Sequence, residues 1–239
     1  MLGAWSFLHV TDAVVGARFT ASLAQTLASF GKRVLLFDLS PECPAIDFFL
    51  GVDDRVVYTL SDALRLPPCD VVLAPKDGLF FVPLGVGEAV DAACVSACVE
   101  AILPDIVLFF ASRSTLSTAR ALSDGLVLLT DSSPVSLRAA AALCEGEALD
   151  AFLLSDFRET CERRETVVSL TEIADALGLP VFGVLPQIGA YNTPSVKEKN
   201  FTTAVKNMAR RLMGESVPLL HGISMKRAYK KRFFTGISE

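Results

Sequence analysis

The run Val10-Thr11-Asp12-Ala13-Val14-Val15-Gly16-Ala17-Arg18-Phe19-Thr20 joins an apolar stretch to an alanine-rich one. That is where a strand–turn–helix unit would bind phosphate. Such a loop needs glycines, so that backbone N–H groups can wrap the phosphate. It also needs a lysine for the β- and γ-phosphates and a Ser or Thr hydroxyl for Mg²⁺. Of that set only Gly16 is present. Arg18 stands at the start of the following helix, where the dipole could help it hold an anion. Its alternative is a plain solvated side chain.

Two other groups of residues could carry chemistry. Cys94 and Cys98 lie four apart in a helical stretch and share a face. A metal or redox pair is one reading, and buried small side chains are the better one. The only histidines are His9 and His221, and no CxxC spacing occurs. The second group is the C-terminal run, in which Met225, Tyr229 and Phe233 recur at spacing four, with Phe234 beside them. Lys226, Arg227, Lys230, Lys231 and Arg232 lie among them, and Arg232 intrudes on the apolar face. Such a segment suits an anionic membrane surface. Docking on the acidic body of the same protein is the alternative. Specific nucleic-acid binding is disfavoured, because aromatic side chains between the bases favour lipid.

The elements that must position these residues are legible as short apolar runs with turn or helix signals between them. Strands are expected at Trp5–Val10, Val34–Asp38, Leu79–Pro83, Ile106–Ala111, Leu126–Thr130, Ala151–Ser155 and Val181–Leu185. Helices are expected at Ala17–Phe30, Thr59–Leu64, Glu88–Leu103, Ser114–Leu122, Pro134–Glu145 and Ser169–Leu177. Gly31 closes the first helix, and Ser133 caps Pro134. The alternation implies an α/β fold: a doubly wound, mostly parallel sheet with helices on both faces. Ligands then sit at the carboxyl ends of the strands, in the loops 11–18, 39–45 and 112–115. One domain is expected over 1–215, with residues 216–239 as a basic amphipathic tail.

Composition narrows the classes. The chain has 239 residues, 51% hydrophobic and 21% charged, enough for a sizeable core and against disorder. No apolar run reaches the ~18 residues of a membrane span. Leu2 to Val10 lacks a basic flank and reads as a first strand, not a signal peptide. Six cysteines without a leader indicate a reducing compartment. The net charge of -5 hides an asymmetry, because residues 195–239 carry 10 Lys/Arg against 3 Asp/Glu. A basic tail on an acidic body points to an anionic partner for the tail.

Gly31-Lys32-Arg33-Val34 through Asp38, then Asp47, Gly51, Arg55, Tyr58 and Asp62, resemble in register the MinD branch of the MinD/ParA family of deviant Walker ATPases. Ser123 to Thr130, Val135 to Arg138 and Leu179 to Pro186 resemble later motifs of that family. The resemblance spans about residues 4–187. It implies a P-loop NTPase-like fold, ATP with Mg²⁺ as cofactor, a homodimer, a protein partner in a positioning system and a membrane-targeting tail.

The departures from the family pattern fall on its chemistry. Laid on K-G-G-V-G-K-T, Asp12 takes the signature lysine, Ala17 the phosphate-binding lysine and Arg18 the Mg²⁺ hydroxyl. Ser40 takes the catalytic aspartate, and Phe110 the aspartate of the second Walker motif. Asp38 is retained, with capping of the strand end as its alternative role. Lost lysines remove the charge compensation that phosphoryl transfer relies on, and Asp12 places a negative charge where a triphosphate would sit.

The expectation is a bacterial, cytoplasmic protein without a catalytic residue, bound metal or tightly bound MgATP. It acts as a scaffold or regulator of division-site or flagellar placement, peripheral at the inner face of the membrane through its tail. The alternatives are an active ATP-binding positioning ATPase with an atypical loop, and a plain protein-interaction module.

Overall fold

Continuous apolar runs become strands buried on both faces. In the computed structural model, which describes residues 3–10, 12–157, 169–186 and 196–222, eight strands form one sheet. They are β1 (Ala4–His9), β2 (Val34–Leu39), β3 (Leu73–Lys76), β4 (Leu79–Val82), β5 (Ile106–Ala111), β6 (Gly125–Asp131), β7 (Ala151–Phe157) and β8 (Val181–Pro186). Their order is β3-β4-β2-β5-β1-β6-β7-β8. Every pairing is parallel except β3 with β4. Every residue of β2 and of β5 is buried, as strands covered on both faces require.

The helices are α1 (Ala13–Ser29), α2 (Ile46–Leu50), α3 (Pro68–Val71), α4 (Ala92–Ile102), α5 (Leu116–Leu122), α6 (Pro134–Gly146), α7 (Leu170–Leu177) and α8 (Val196–Leu212). Alternate strand residues send Phe7, Leu36 and Phe110 into one core, which holds α1, Ile46 of α2 and the apolar face of α8. Their neighbours Leu8, Phe37 and Phe109 enter a second core, with Cys94 and Cys98 of α4, Ala140 of α6 and Ile173 of α7. The doubly wound α/β expectation holds. The two α4 thiols are buried, and burial pushes Cys98 up to about 11, so it is an inert core side chain.

Several local expectations are corrected. The first helix begins at Ala13, not Ala17, because the Asp12 carboxylate caps it by accepting from the Val15 N–H at 3.0 Å. The helix expected from Glu88 starts only at Ala92, where Asp91 caps it. The segment expected to be helical from Thr59 is a 3-10 turn, Leu60–Leu64, closed by a Thr59/Asp62 capping box. Strand β3 was not anticipated. It pairs with β4 through Asp77-Gly78, with Gly78 at φ +76°, a two-residue hairpin turn.

Helix α8 was likewise absent from the expected elements. Its Phe201, Ala204, Val205, Met208, Ala209 and Leu212 are buried at helical spacing. It runs antiparallel to the strands: Arg211 donates to the Phe182 carbonyl at 2.8 Å near the start of β8, and Phe201 sits beside Arg18 near the start of α1. The chain then returns along α8. Arg211 Nε donates to the Val217 carbonyl at 2.8 Å, and Asn207 Nδ2 to the His221 carbonyl at 2.6 Å. Among the described residues no helix is long and apolar enough to cross a membrane. The tail residues Met225, Lys226, Arg227, Tyr229, Lys230, Lys231, Arg232, Phe233 and Phe234 lie outside the described residues.

Candidate functional site

The strand order places the start of α1 and the ends of β2, β5 and β6 around the carboxyl end of β1. In an open parallel sheet this is where a ligand crevice forms. What fills it here follows from residue types. Residues 13–16, where a phosphate loop would be open, are the first turn of α1. The Val15 N–H, one of the orphan donors an anion would take, is held by Asp12 Oδ1 at 3.0 Å. The Gly16 N–H bonds the Asp12 carbonyl at 3.2 Å. Ala17 is fully buried among apolar neighbours. Arg18 reaches towards α8, with its guanidinium carbon 5.1 Å from the centre of the Phe201 ring, a cation–π distance.

Phe110 occupies the space behind that turn. It is fully buried and stacks on the His9 ring at 5.0 Å between centroids. A Cβ on Gly16 would lie only 2.8 Å from Phe110 Cε2. Gly16 therefore serves close packing of helix on strand, not backbone approach to phosphate.

Asp38 ends β2 and is buried. Its carboxylate accepts from the Ser40, Ala45 and Ile46 backbone N–H groups at 3.0, 3.0 and 3.2 Å. It is thus the internal anchor of the loop 39–46. Burial pushes its carboxyl up to about 7, against the three N–H donors. The sign of the pH effect follows. The folded state holds the proton between about 4 and 7, so stability from this group is full below the unfolded pKa and is lost as pH rises to about 7. Asp38→Asn should flatten that slope. Denaturant midpoints measured at pH 5 and pH 8 check it, and equal slopes in the two proteins would mean the carboxylate is ionised throughout.

His9 contributes the opposite slope. Burial lowers its pKa, against the pull of Glu42 and Asp12, so its contribution is present above the ordinary histidine pKa and lost as pH falls. Comparing wild type with Asp38→Asn cancels this term.

Sequence reading did not single out His9 as a member of this site. Its Nε2 lies 2.9 Å from Oγ of the buried Ser40, and its Nδ1 is buried without a hydrogen-bond partner. Glu42 lies close enough to pull the His9 pKa upward. Burial would raise its pKa, but hydrogen bonds from Ser112 and Ser114 outweigh that and lower it. Ser112 and Ser114 hydroxyls are themselves 2.9 Å apart. Thr115 Oγ1 donates to the Leu39 carbonyl at 2.6 Å, which ties the β5 loop to the β2 loop. The signal available in the sequence was position: all of these residues lie at or just beyond the carboxyl ends of expected strands.

A shallow pocket remains beside α1, lined by Asp12, Val15, Gly16, Leu129, Thr130, Asp131 and Ser155. The lining contains two acids and no base. Asp131 accepts from the Ser133 N–H at 2.6 Å and from Ser136 Oγ at 2.7 Å. Among the described residues no group of three or more His, Cys, Asp or Glu side chains is placed to hold a metal.

A magnesium-bound triphosphate requires open N–H donors, a cation on the terminal phosphates and oxygen ligands for the metal. Here the donors are folded into a capped helix, two acids line the pocket and the buried Phe110 ring fills the space behind the α1 turn. The residues present do not fit that group.

The sheet order, with a strand–turn–helix unit at its carboxyl edge, is that of a doubly wound α/β fold. Comparison with known proteins narrows this. No family model matches the chain. It is 27% identical over 228 residues to the septum site-determining protein MinD of Synechocystis sp., covering 84% of this chain and 85% of that one. To MinD of Thermotoga maritima it is 24% identical over 230 residues, with 84% of each chain covered. Among solved structures, the MinC:MinD cell division protein complex of Aquifex aeolicus superposes with a TM-score of 0.73 at 23% identity, over 90% of this chain and 98% of that chain. In sequence and in fold the chain is thus similar to the MinD/ParA family.

Proposed function

We propose that the protein is a MinD/ParA-like scaffold or regulator of spatial positioning, at the division site or in flagellar placement, and that it does not hydrolyse ATP. The observation that supports this reading is the first turn of α1. It is wound where a phosphate loop would open, capped by Asp12 and backed by the Phe110 ring. Relatives named as septum site-determining proteins support the positioning role. One of the solved relatives is a complex of MinD with MinC, which supports action through a protein partner, with a second copy of the chain as a further candidate. The basic, aromatic segment 223–239 supplies a peripheral contact with an anionic membrane at the cytoplasmic face. A single short segment binds weakly, so the partner or a dimer adds the second contact.

The test is calorimetric titration with ATP and ADP, with and without Mg²⁺. No heat and no thermal stabilisation are expected at about 1 mM nucleotide, the range in which binding free energy falls to about 4 kcal/mol. Micromolar binding would narrow the reading to hydrolysis alone, and phosphate release from that complex would overturn it.

A further inference from the structure

Between the 3-10 turn Asp53–Arg55 and the one at Leu60–Leu64 the chain is extended and unpaired. Val56 lies at φ -72°, ψ 106° and Thr59 at φ -119°, ψ 176°. Val57 and Tyr58 between them keep negative φ and belong to no helix or strand. Their neighbours are tied down. The Leu60 N–H donates to the Pro83 carbonyl at 2.8 Å, one residue beyond β4, and Thr59 Oγ1 to Glu88 Oε1 at 2.9 Å. The segment therefore runs beside the continuation of β4, at the carboxyl edge of the sheet. The N–H and C=O groups of Val57 and Tyr58 themselves bond to no described residue.

The run Val56-Val57-Tyr58-Thr59 is made of β-forming residue types, yet Val57 is 76% exposed and Tyr58 42%. Val86, 79% exposed, stands in the loop that carries Glu88. The two edges of the sheet are blunted by contrast. Edge strand β3 carries Pro75, which has no N–H to offer, and in edge strand β8 the Phe182 carbonyl is taken by Arg211 at 2.8 Å. An unpaired extended segment with exposed apolar side chains accepts an added strand, which backbone bonds hold and side chains select. Charge selects further. Residues 41–62 and 83–91 carry seven acids against the single base Arg55, and Glu42, Asp53, Asp54 and Asp91 are exposed. That frame suits a cationic segment and repels an acidic one.

We infer that Val57 and Tyr58 form a docking strand for an extended segment of a partner protein in which apolar residues alternate with lysine or arginine. The added segment bonds to the free backbone groups of Val57 and Tyr58. Its apolar side chains cover Val57, Tyr58 and Val86, and its cations lie against Asp53 and Asp54. The inference deepens the partner reading above and rests on it only in taking the occupant to be a protein. It holds whether or not nucleotide binds.

The test uses the full chain and one probe, a fluorescent peptide of about ten residues in which valine alternates with lysine and arginine. Saturable binding is expected at about 10–100 μM, the strength of a short exposed contact. Amide exchange followed by NMR should find Val57 and Tyr58 unprotected in the free chain and slowed about tenfold by the peptide. Tyr58→Pro removes an N–H that the fold does not use and should weaken binding about tenfold. Asp53→Lys/Asp54→Lys should weaken it by a similar factor, and unchanged thermal midpoints show that both variants are folded. The same peptide N-methylated at its central residues keeps its charge, loses its donors and should not bind. Binding that survives N-methylation or Tyr58→Pro would be ionic capture by the acidic body and would overturn the docking strand. So would the absence of saturable binding at about 1 mM peptide. Amides already slow in the free chain would overturn it too. Protection that grows with protein concentration would give the strand to a second copy, and protection independent of concentration to another part of the same chain. None of these outcomes alters the calorimetric test with nucleotide, so the two readings fail separately.

Discussion

Replacing Ala17 by lysine should lower the unfolding free energy by about 3–5 kcal/mol and should not create ATP binding. The substitution restores the residue type that the family places at this position. In this chain Ala17 is fully buried in the core between α1, the sheet and α8, with apolar neighbours. An ammonium there has no carboxylate or phosphate partner, so burial depresses its pKa. The sign is testable. The folded state prefers the neutral amine, so the penalty is full at pH 7 and shrinks as pH rises towards the ordinary lysine value near 10.4. Urea denaturation at pH 7 and pH 9.5 measures this. A penalty under ~1 kcal/mol together with an ATP-dependent thermal shift would mean that the lysine reaches an open pocket, and the non-hydrolysing proposal would lose its support.

Phe110→Ala should cost about 3–5 kcal/mol, the range for deleting a buried aromatic ring without collapse of the cavity. The ring is fully buried between His9 and Gly16. Gly16→Ala alone should cost about 1–3 kcal/mol, because its Cβ would come within 2.8 Å of Phe110 Cε2. Gly16 is inside a helix, where alanine is intrinsically better by about 1 kcal/mol. In the Phe110→Ala background the clash is gone, so Gly16→Ala should become neutral or stabilising. A double-mutant cycle by chemical denaturation reads this coupling. Additive single effects would show that Phe110 does not fill the space against the α1 turn.

Together these two results would separate a site that lacks ligands from one whose space has been taken. A pocket that has merely lost its lysine could be repaired by restoring it. Here residues 13–16 are helix, Ala17 is core and Phe110 is a buried ring, so on the proposed reading each single reversion meets packing before it meets phosphate.

The strands were legible because a doubly covered strand is an unbroken apolar run, as Val34–Leu39 and Ile106–Ala111 are. Asp38 stood out as a charge at the end of such a run, and the position of Phe110 followed from register with the family motifs. Two further elements carry local signals. Asp77-Gly78 is a hairpin signal, and the apolar positions of α8 keep helical spacing beneath a strongly charged face. Helix α1 starts four residues before its expected position, because Asp12 is an N-cap residue type and residues 13–15 contain no glycine.

What the sequence determined by itself is therefore local and periodic: an α/β chain with alternating elements, a phosphate-loop position without its cation, and a basic segment after an acidic body. Only the tertiary structure decided what meets what. His9 and Ser40 belong to β1 and to the loop after β2, strands that are not neighbours because β5 lies between them. Arg18 leaves the helix start for Phe201, about three quarters of the chain length away. Gly222 is turned back towards the carboxyl edge by side chains of α8. Periodicity reports which face of an element is apolar. The order of strands and the direction of the returning chain depend on crossovers and packing between distant segments, for which a local pattern carries no term.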